Sequence, residues 1–317
     1  MKHIALFAVV AAFATVTACS TKNKNTDEAQ KPKVTATDFR IVEDGGTGQY
    51  KAVMQEEPSL PMHTVFCPQD LEKFNAEKPL PVVVWGNGAC YNSPFEHYLF
   101  LNEIASHGYL VVATGYMPKE EEPYNFDTIR STSAQQIESI EWVIAQNADK
   151  NSPYYNKVDT KHIVAAGMSC GGLQTLDNCA DPRLSGIMIL NSGLFVDASI
   201  AMPGMPMPKK EKLNEIKVPV IYMLGGKEDI AYENGMDDFH RIKHVPAFAC
   251  NYPVGHGGTY AQPHGGEFAI VATAWLDWQT KGCKKAAEMF VGEPCGLSMR
   301  EGWVTEKNEL FQQSNMN

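Results

Sequence analysis

Lys161-His162-Ile163-Val164-Ala165-Ala166-Gly167-Met168-Ser169-Cys170-Gly171-Gly172 is the stretch on which the reading of the chain turns. Its apolar, β-branched first half reads as a strand returning to a sheet. Gly167-Met168-Ser169-Cys170-Gly171 then matches G-x-S-x-G, and a helix is expected from Gly172 to Cys179. So tight a strand-to-helix turn strains the serine backbone, and positions two residues to either side must be small to clear the neighbouring strand and helix. Gly167 and Gly171 meet that demand, which makes Ser169 the candidate nucleophile.

Outward from this turn, short apolar runs alternate with segments of helical period. Strands are expected at 81–85, 109–113, 186–190, 219–224 and 247–252, and helices near 95–106, 132–146, 232–243 and 266–280. That alternation predicts a mostly parallel central sheet with helices on both faces, forming one domain over 34–317. Met202-Pro203-Gly204-Met205-Pro206-Met207-Pro208 breaks the rhythm. Its prolines forbid a regular helix, which leaves a surface connection or a substrate lid.

A serine hydroxyl is a weak nucleophile at neutral pH, so a base must take its proton and a carboxylate must orient that base. Asp229, in Leu224-Gly225-Gly226-Lys227-Glu228-Asp229 just past a strand end, is the candidate acid, with Glu228 its nearest rival. Asp237 and Asp238 are expected to be solvated charges on a helix. Among the histidines that follow, His256 sits in the glycine turn Val254-Gly255-His256-Gly257-Gly258 after the last predicted strand and is the candidate base. His240 and His244 read as exposed, and His264 as a supporting residue before the final helix. The oxyanion needs backbone donors. Cys170 is expected to give one, and the loop Gly86-Asn87-Gly88-Ala89-Cys90 the other, from Asn87 or alternatively Gly88. Gly88, Tyr91, Tyr116 and Leu194 are candidates for the walls of the substrate cleft. No metal ligands are expected.

Lys plus Arg total 27 against 37 Asp plus Glu, a formal charge of -10, with no basic run long enough to track a phosphate backbone; nucleic acid is not an expected partner. At the N-terminus, Lys2 precedes an apolar run from Ile4 to Val16, too short to span a bilayer and suited to a signal peptide over 1–18. Val16-Thr17-Ala18-Cys19 resembles the bacterial lipobox, so Cys19 is expected to carry lipid. Residues 19–33, almost without apolar side chains, would then form a flexible tether. Membrane contact would be through that lipid alone, with the protein facing the periplasm or the cell surface. The seven other cysteines fit an oxidising compartment. Cys283–Cys295, closing a short loop, is the expected disulfide, and a Cys90–Cys170 bridge stiffening the oxyanion loops is a second geometric option.

Together Val83-Val84-Trp85-Gly86-Asn87-Gly88, Ile104-Ala105-Ser106-His107-Gly108-Tyr109, the serine turn, Asp229 and His256 resemble the α/β-hydrolase superfamily. Within it the chain is similar to secreted dienelactone hydrolases, platelet-activating-factor acetylhydrolases and cutinase-like polyester hydrolases. The likeness runs from about His63 to Val304. It implies an α/β-hydrolase fold, an acyl-enzyme formed on Ser169, and no metal or organic cofactor. The expected function is a serine carboxylic-ester hydrolase acting on a small-molecule or polymer-borne ester. The alternatives are a peptidase or amidase of the same fold, or a non-catalytic surface lipoprotein that binds a ligand.

Overall fold

In the computed structural model, residues 39–119, 130–196 and 204–314 are described, and all fall within one compact unit. The expected signal peptide, Cys19, the tether, and Met202 and Pro203 of the Met-Pro stretch lie outside the described residues.

Ten strands form one sheet in the order β1-β2-β3-β5-β4-β6-β7-β8-β9-β10. Its centre is parallel: β5 (Leu110–Thr114), β4 (Leu80–Gly86), β6 (Val158–Met168), β7 (Leu184–Leu190), β8 (Val220–Leu224) and β9 (Ala247–Asn251). Antiparallel strands extend both edges. β1 (Phe39–Arg40), β2 (Ala52–Glu56) and β3 (His63–Pro68) flank β5, and β10 (Val304–Lys307) flanks β9.

Strands β4, β5, β8 and β9 are buried at every residue, as expected where helices cover both faces. The two-residue period sorts their side chains. Val82 and Val84 enter one core with Ile140 and Val143 of α2 (Ser133–Ala148), Leu173 and Leu176 of α3 (Cys170–Asp177), and Phe239 of α4 (Tyr232–Arg241). Val83 and Trp85 enter the opposite core with Phe100 and Ile104 of α1 (Tyr98–Ser106), and Phe268, Trp275 and Leu276 of α5 (Gly266–Lys281). Short helices α6 (Lys284–Ala287) and α7 (Glu309–Ser314) follow.

The helix ends follow local chemistry. Thr132 and Gln135 form a reciprocal capping box ahead of α2, and Gly282, left-handed at φ 63, closes α5. Helix α1 begins three residues later than the sequence suggests, because Pro94 to His97 form a turn.

The chain order places the site. From β4 the chain crosses one face through α1 to β5, then crosses the other through α2 to β6 on the far side of β4. Strand order therefore reverses at β4, and a crevice opens beyond the carboxyl ends of β4 and β6. Gly86 and Gly167 are paired neighbours there, so the loop after β4 and the serine turn after β6 leave the sheet side by side.

Candidate active site

Ser169 occupies φ 52, ψ -115 at the junction of β6 and α3, the strained conformation expected of a strand-to-helix turn. Its N–H donates to the Leu190 carbonyl at 2.9 Å. The flanking glycines are steric requirements: a Cβ at Gly167 would lie 2.3 Å from the Gly171 backbone, and one at Gly171 would lie 2.0 Å from the Gly86 oxygen.

Two further loops converge on this turn. Asp229 follows β8, and His256 follows β9; the Gly255 N–H donates to the Gly225 carbonyl at 2.8 Å, locking the two loops together. The Ser169 hydroxyl lies 3.0 Å from His256 Nε2, and His256 Nδ1 lies 2.6 Å from Asp229 Oδ1. With Nδ1–H donating to the carboxylate, Nε2 is left as acceptor for the serine hydroxyl.

Asp229 is 3% exposed and fully engaged. Its Oδ1 also accepts the Ala231 N–H at 2.9 Å, while Oδ2 accepts the Gly225 N–H at 2.9 Å and the Asn191 amide at 2.7 Å. Burial alone would raise its carboxyl, but the bonds from His256, Ala231, Gly225 and Asn191 outweigh it and hold the group below the ordinary carboxylate value. The acid therefore stays ionised beside the imidazole. Asn191 is itself oriented by the Tyr260 hydroxyl, which donates to its Oδ1. Neither Asn191 nor Tyr260 carries a motif, so sequence reading passes over both.

The rival residues have other surroundings. Glu228 is exposed. His240 pairs with Glu306 at 2.8 Å, His244 meets the Ile216 carbonyl at 3.0 Å, and His264 lies near Glu43 and Glu103. Asp238 corrects an expectation: it is fully buried, not solvated. Its carboxylate accepts the Leu194 N–H at 2.7 Å and pairs with Lys210 at 2.5 Å, with Asp237 beside it at 2.8 Å from the same ammonium.

A cavity of about 560 Å³ opens over Ser169 and His256. Its walls include Met168, Leu173, Phe195, Met205 and Ile230, with Gly88 and Ala89 on the side of the β4 loop. Of the cleft residues expected from sequence, Gly88 lines it and Tyr91, Tyr116 and Leu194 do not. Tyr91 is buried beneath the loop, the Tyr116 N–H is held by the Asn92 carbonyl, and Leu194 is turned into the core by the Asp238 bond. Phe195, one residue on, takes the place expected of Leu194. Asn87 is also fully buried and does not line the cavity. Its side-chain amide donates to the carbonyls of Tyr91 and Thr114 at 2.9 and 2.7 Å, and its oxygen accepts the Trp85 indole, so the side chain clamps the loop.

The disulfide differs from the favoured expectation. Cys90 and Cys170 are bonded, their Cα atoms 5.1 Å apart, whereas Cys283 and Cys295 are both free. The latter two face different surroundings. Cys295 is buried with its sulfur toward Thr305 of β10, while Cys283 is half-buried beside His107 and Lys285 in a separate cavity. Among the described residues, no group of three or more His, Cys, Asp or Glu side chains is placed to hold a metal ion.

Comparison with protein-family models gives a match. The family model PETase, described as PET hydrolase-like, matches residues 82–237, a span that opens in β4 and includes Ser169 and Asp229 but stops before His256. No curated protein matches the chain.

Proposed function

We propose that the chain is a carboxylic-ester hydrolase of the α/β-hydrolase superfamily, in which Ser169, His256 and Asp229 form the catalytic triad and turn over an ester through an acyl-enzyme. Ser169 Oγ attacks the ester carbonyl as His256 Nε2 takes its proton; His256 then returns that proton to the leaving alkoxide. Asp229 holds the imidazole in the tautomer that keeps Nε2 free and balances the imidazolium. The Cys170 N–H, at the start of α3, and an N–H of the Asn87-Gly88 segment steady the oxyanion. Water, activated by the same imidazole, releases the acid.

The observation that carries this reading is the continuous set of contacts from Ser169 Oγ through His256 to Asp229, at 3.0 and 2.6 Å, on the floor of an open cavity. Replacing Ser169 by Ala should abolish labelling by a fluorophosphonate and lower kcat by roughly 10⁴-fold or more. Undiminished hydrolysis of a nitrophenyl ester by that variant would defeat the assignment.

The apolar walls favour an ester with a bulky, apolar acyl group, free or carried on a polymer. We also propose that the enzyme works outside the cytoplasm, held to a membrane by lipid on Cys19. The support is the sequence over 1–33 alone; no helix among the described residues is long and apolar enough to cross a membrane.

A further inference from the structure

The Cys90–Cys170 bond joins the two segments from which the proposed oxyanion donors come. Cys170 directly follows the serine and opens α3, while Cys90 ends the loop that leaves β4. Eighty positions of sequence separate the pair. The loop on the Cys90 side is held away from relaxed geometry: Ala89 and Cys90, neither of them glycine, lie at φ 52 and 50. Around it sit Ser131, whose N–H donates to the Cys90 carbonyl at 2.8 Å, and Gln174, whose amide reaches Ser131 O at 2.9 Å. These bonds hold the outer end of the loop. Among the described residues, the disulfide is the one covalent tie between it and the serine turn.

An oxyanion site works only when both donors sit within hydrogen-bond reach of one point in space. Here those donors follow different strands, and strained backbone at Ala89 and Cys90 lies directly beyond the Asn87-Gly88 segment. Resting on the triad reading above, we propose that the Cys90–Cys170 disulfide is the positioning device of the oxyanion site, so that the hydrolase matures by oxidation of this thiol pair. In that step the two thiols give two electrons and two protons to an incoming disulfide such as oxidised glutathione. One S–S bond forms in the protein, the donor's S–S bond breaks, and two small thiols leave. Both sulfurs end in residues no more than 1% exposed. The bond therefore closes as the chain folds and is shielded from reductant afterwards.

The test uses the full chain in three forms: oxidised, refolded under dithiothreitol, and with Cys90→Ala and Cys170→Ala combined. For each, kcat and KM on a nitrophenyl ester, the rate of fluorophosphonate labelling and the affinity for a boronic acid that forms a tetrahedral adduct are measured, with a melting curve to establish folding. The reduced and double-variant forms should lose about 100-fold in kcat and similarly in boronic-acid affinity, as when an oxyanion donor is removed, with KM nearly unchanged. Refolding in the presence of oxidised glutathione should restore the wild type and leave the double variant low. A Cys283→Ser chain should keep both full activity and the redox response. If the alanine pair does not fold, Cys90→Ser with Cys170→Ser gives the same readout. Full kcat in folded, reduced enzyme or in either double variant, even with a lowered Tm, would overturn the positioning role. Absence of Ser169 labelling in the oxidised wild type would overturn the triad and this proposal with it.

Discussion

Asn191 shows what a single side chain contributes outside any motif. Its amide donates 2.7 Å to Asp229, and a hydrogen bond to a charged group is worth about 1.5–3 kcal/mol. Asn191→Ala should therefore cost kcat about tenfold or more while KM changes little; steady-state kinetics would show it, and an unchanged kcat would mean the other three donors suffice. Asp238 offers a test through pH. Burial, its largest influence, pushes its carboxyl up to about 6 although Lys210 pulls it back, against an ordinary value of 3.8. A folded value above the unfolded one means the contribution to stability is complete below about pH 4 and is lost as pH rises through about 6. Relative to Asp238→Asn, the wild type should lose stability between pH 4 and pH 8, read from paired denaturant curves; a gain over that range would contradict the direction. The three side chains that meet at the cavity floor were legible: Ser169 from its glycines and strand, Asp229 and His256 from their places just past strand ends. Asn191 and Tyr260 were not, because their roles exist only once β7 and the His256 loop meet. For Asp238 the sequence does carry a signal. Gly235, Asp238, Phe239 and Ile242 follow the 3, 4, 7 spacing of a buried stripe, and a carboxylate on that stripe needs a buried partner.

Among the elements, the parallel centre was legible because each of its strands contains a dense apolar run, in β6 only its second half. The antiparallel flanks were not. β10 alternates between exposed and half-buried along its four residues, and β1 has only two, too little pattern for a period to register. The disulfide failed for a related reason: loop length favours near neighbours, but pairing is decided by which loops the sheet brings together, and β4 and β6 bring together residues 80 positions apart. The helix on the far face can be tested directly. Trp275 of α5 is buried against Phe248, Phe290 and Phe311. Trp275→Ala should cost about 4 kcal/mol and lower Tm by about 10 °C, measured by calorimetry. A shift of only a degree or two would mean that this aromatic cluster repacks freely.

For the whole molecule, a formal net charge of -10 goes with a cavity that has an exposed apolar residue at its rim: Ile230, next to Asp229, is 79% exposed. A single exposed apolar residue is ordinary, but this one borders a cavity floored by Ser169. Ile230→Glu should leave hydrolysis of acetate esters nearly intact and weaken that of long-chain or aromatic acyl esters about tenfold, the order expected from losing contact with a few methylenes. A profile of kcat/KM against acyl length would show it, and a uniform loss across all lengths would refute a specificity role for the rim.

The distribution of unpaired thiols has a practical consequence. Burial pushes Cys67 up to about 12 and Cys179 to about 11 and holds Cys250 well above its ordinary value; Cys295, which burial raises but contacts with Ser298 and Thr305 bring below its ordinary value, is only 1% exposed. Among the described cysteines, that leaves Cys283 as the single sulfur a maleimide dye meets on the native surface. A chain starting after Cys19 would thus accept one fluorophore per molecule without any engineered handle, ready for anisotropy or single-particle tracking on an insoluble substrate.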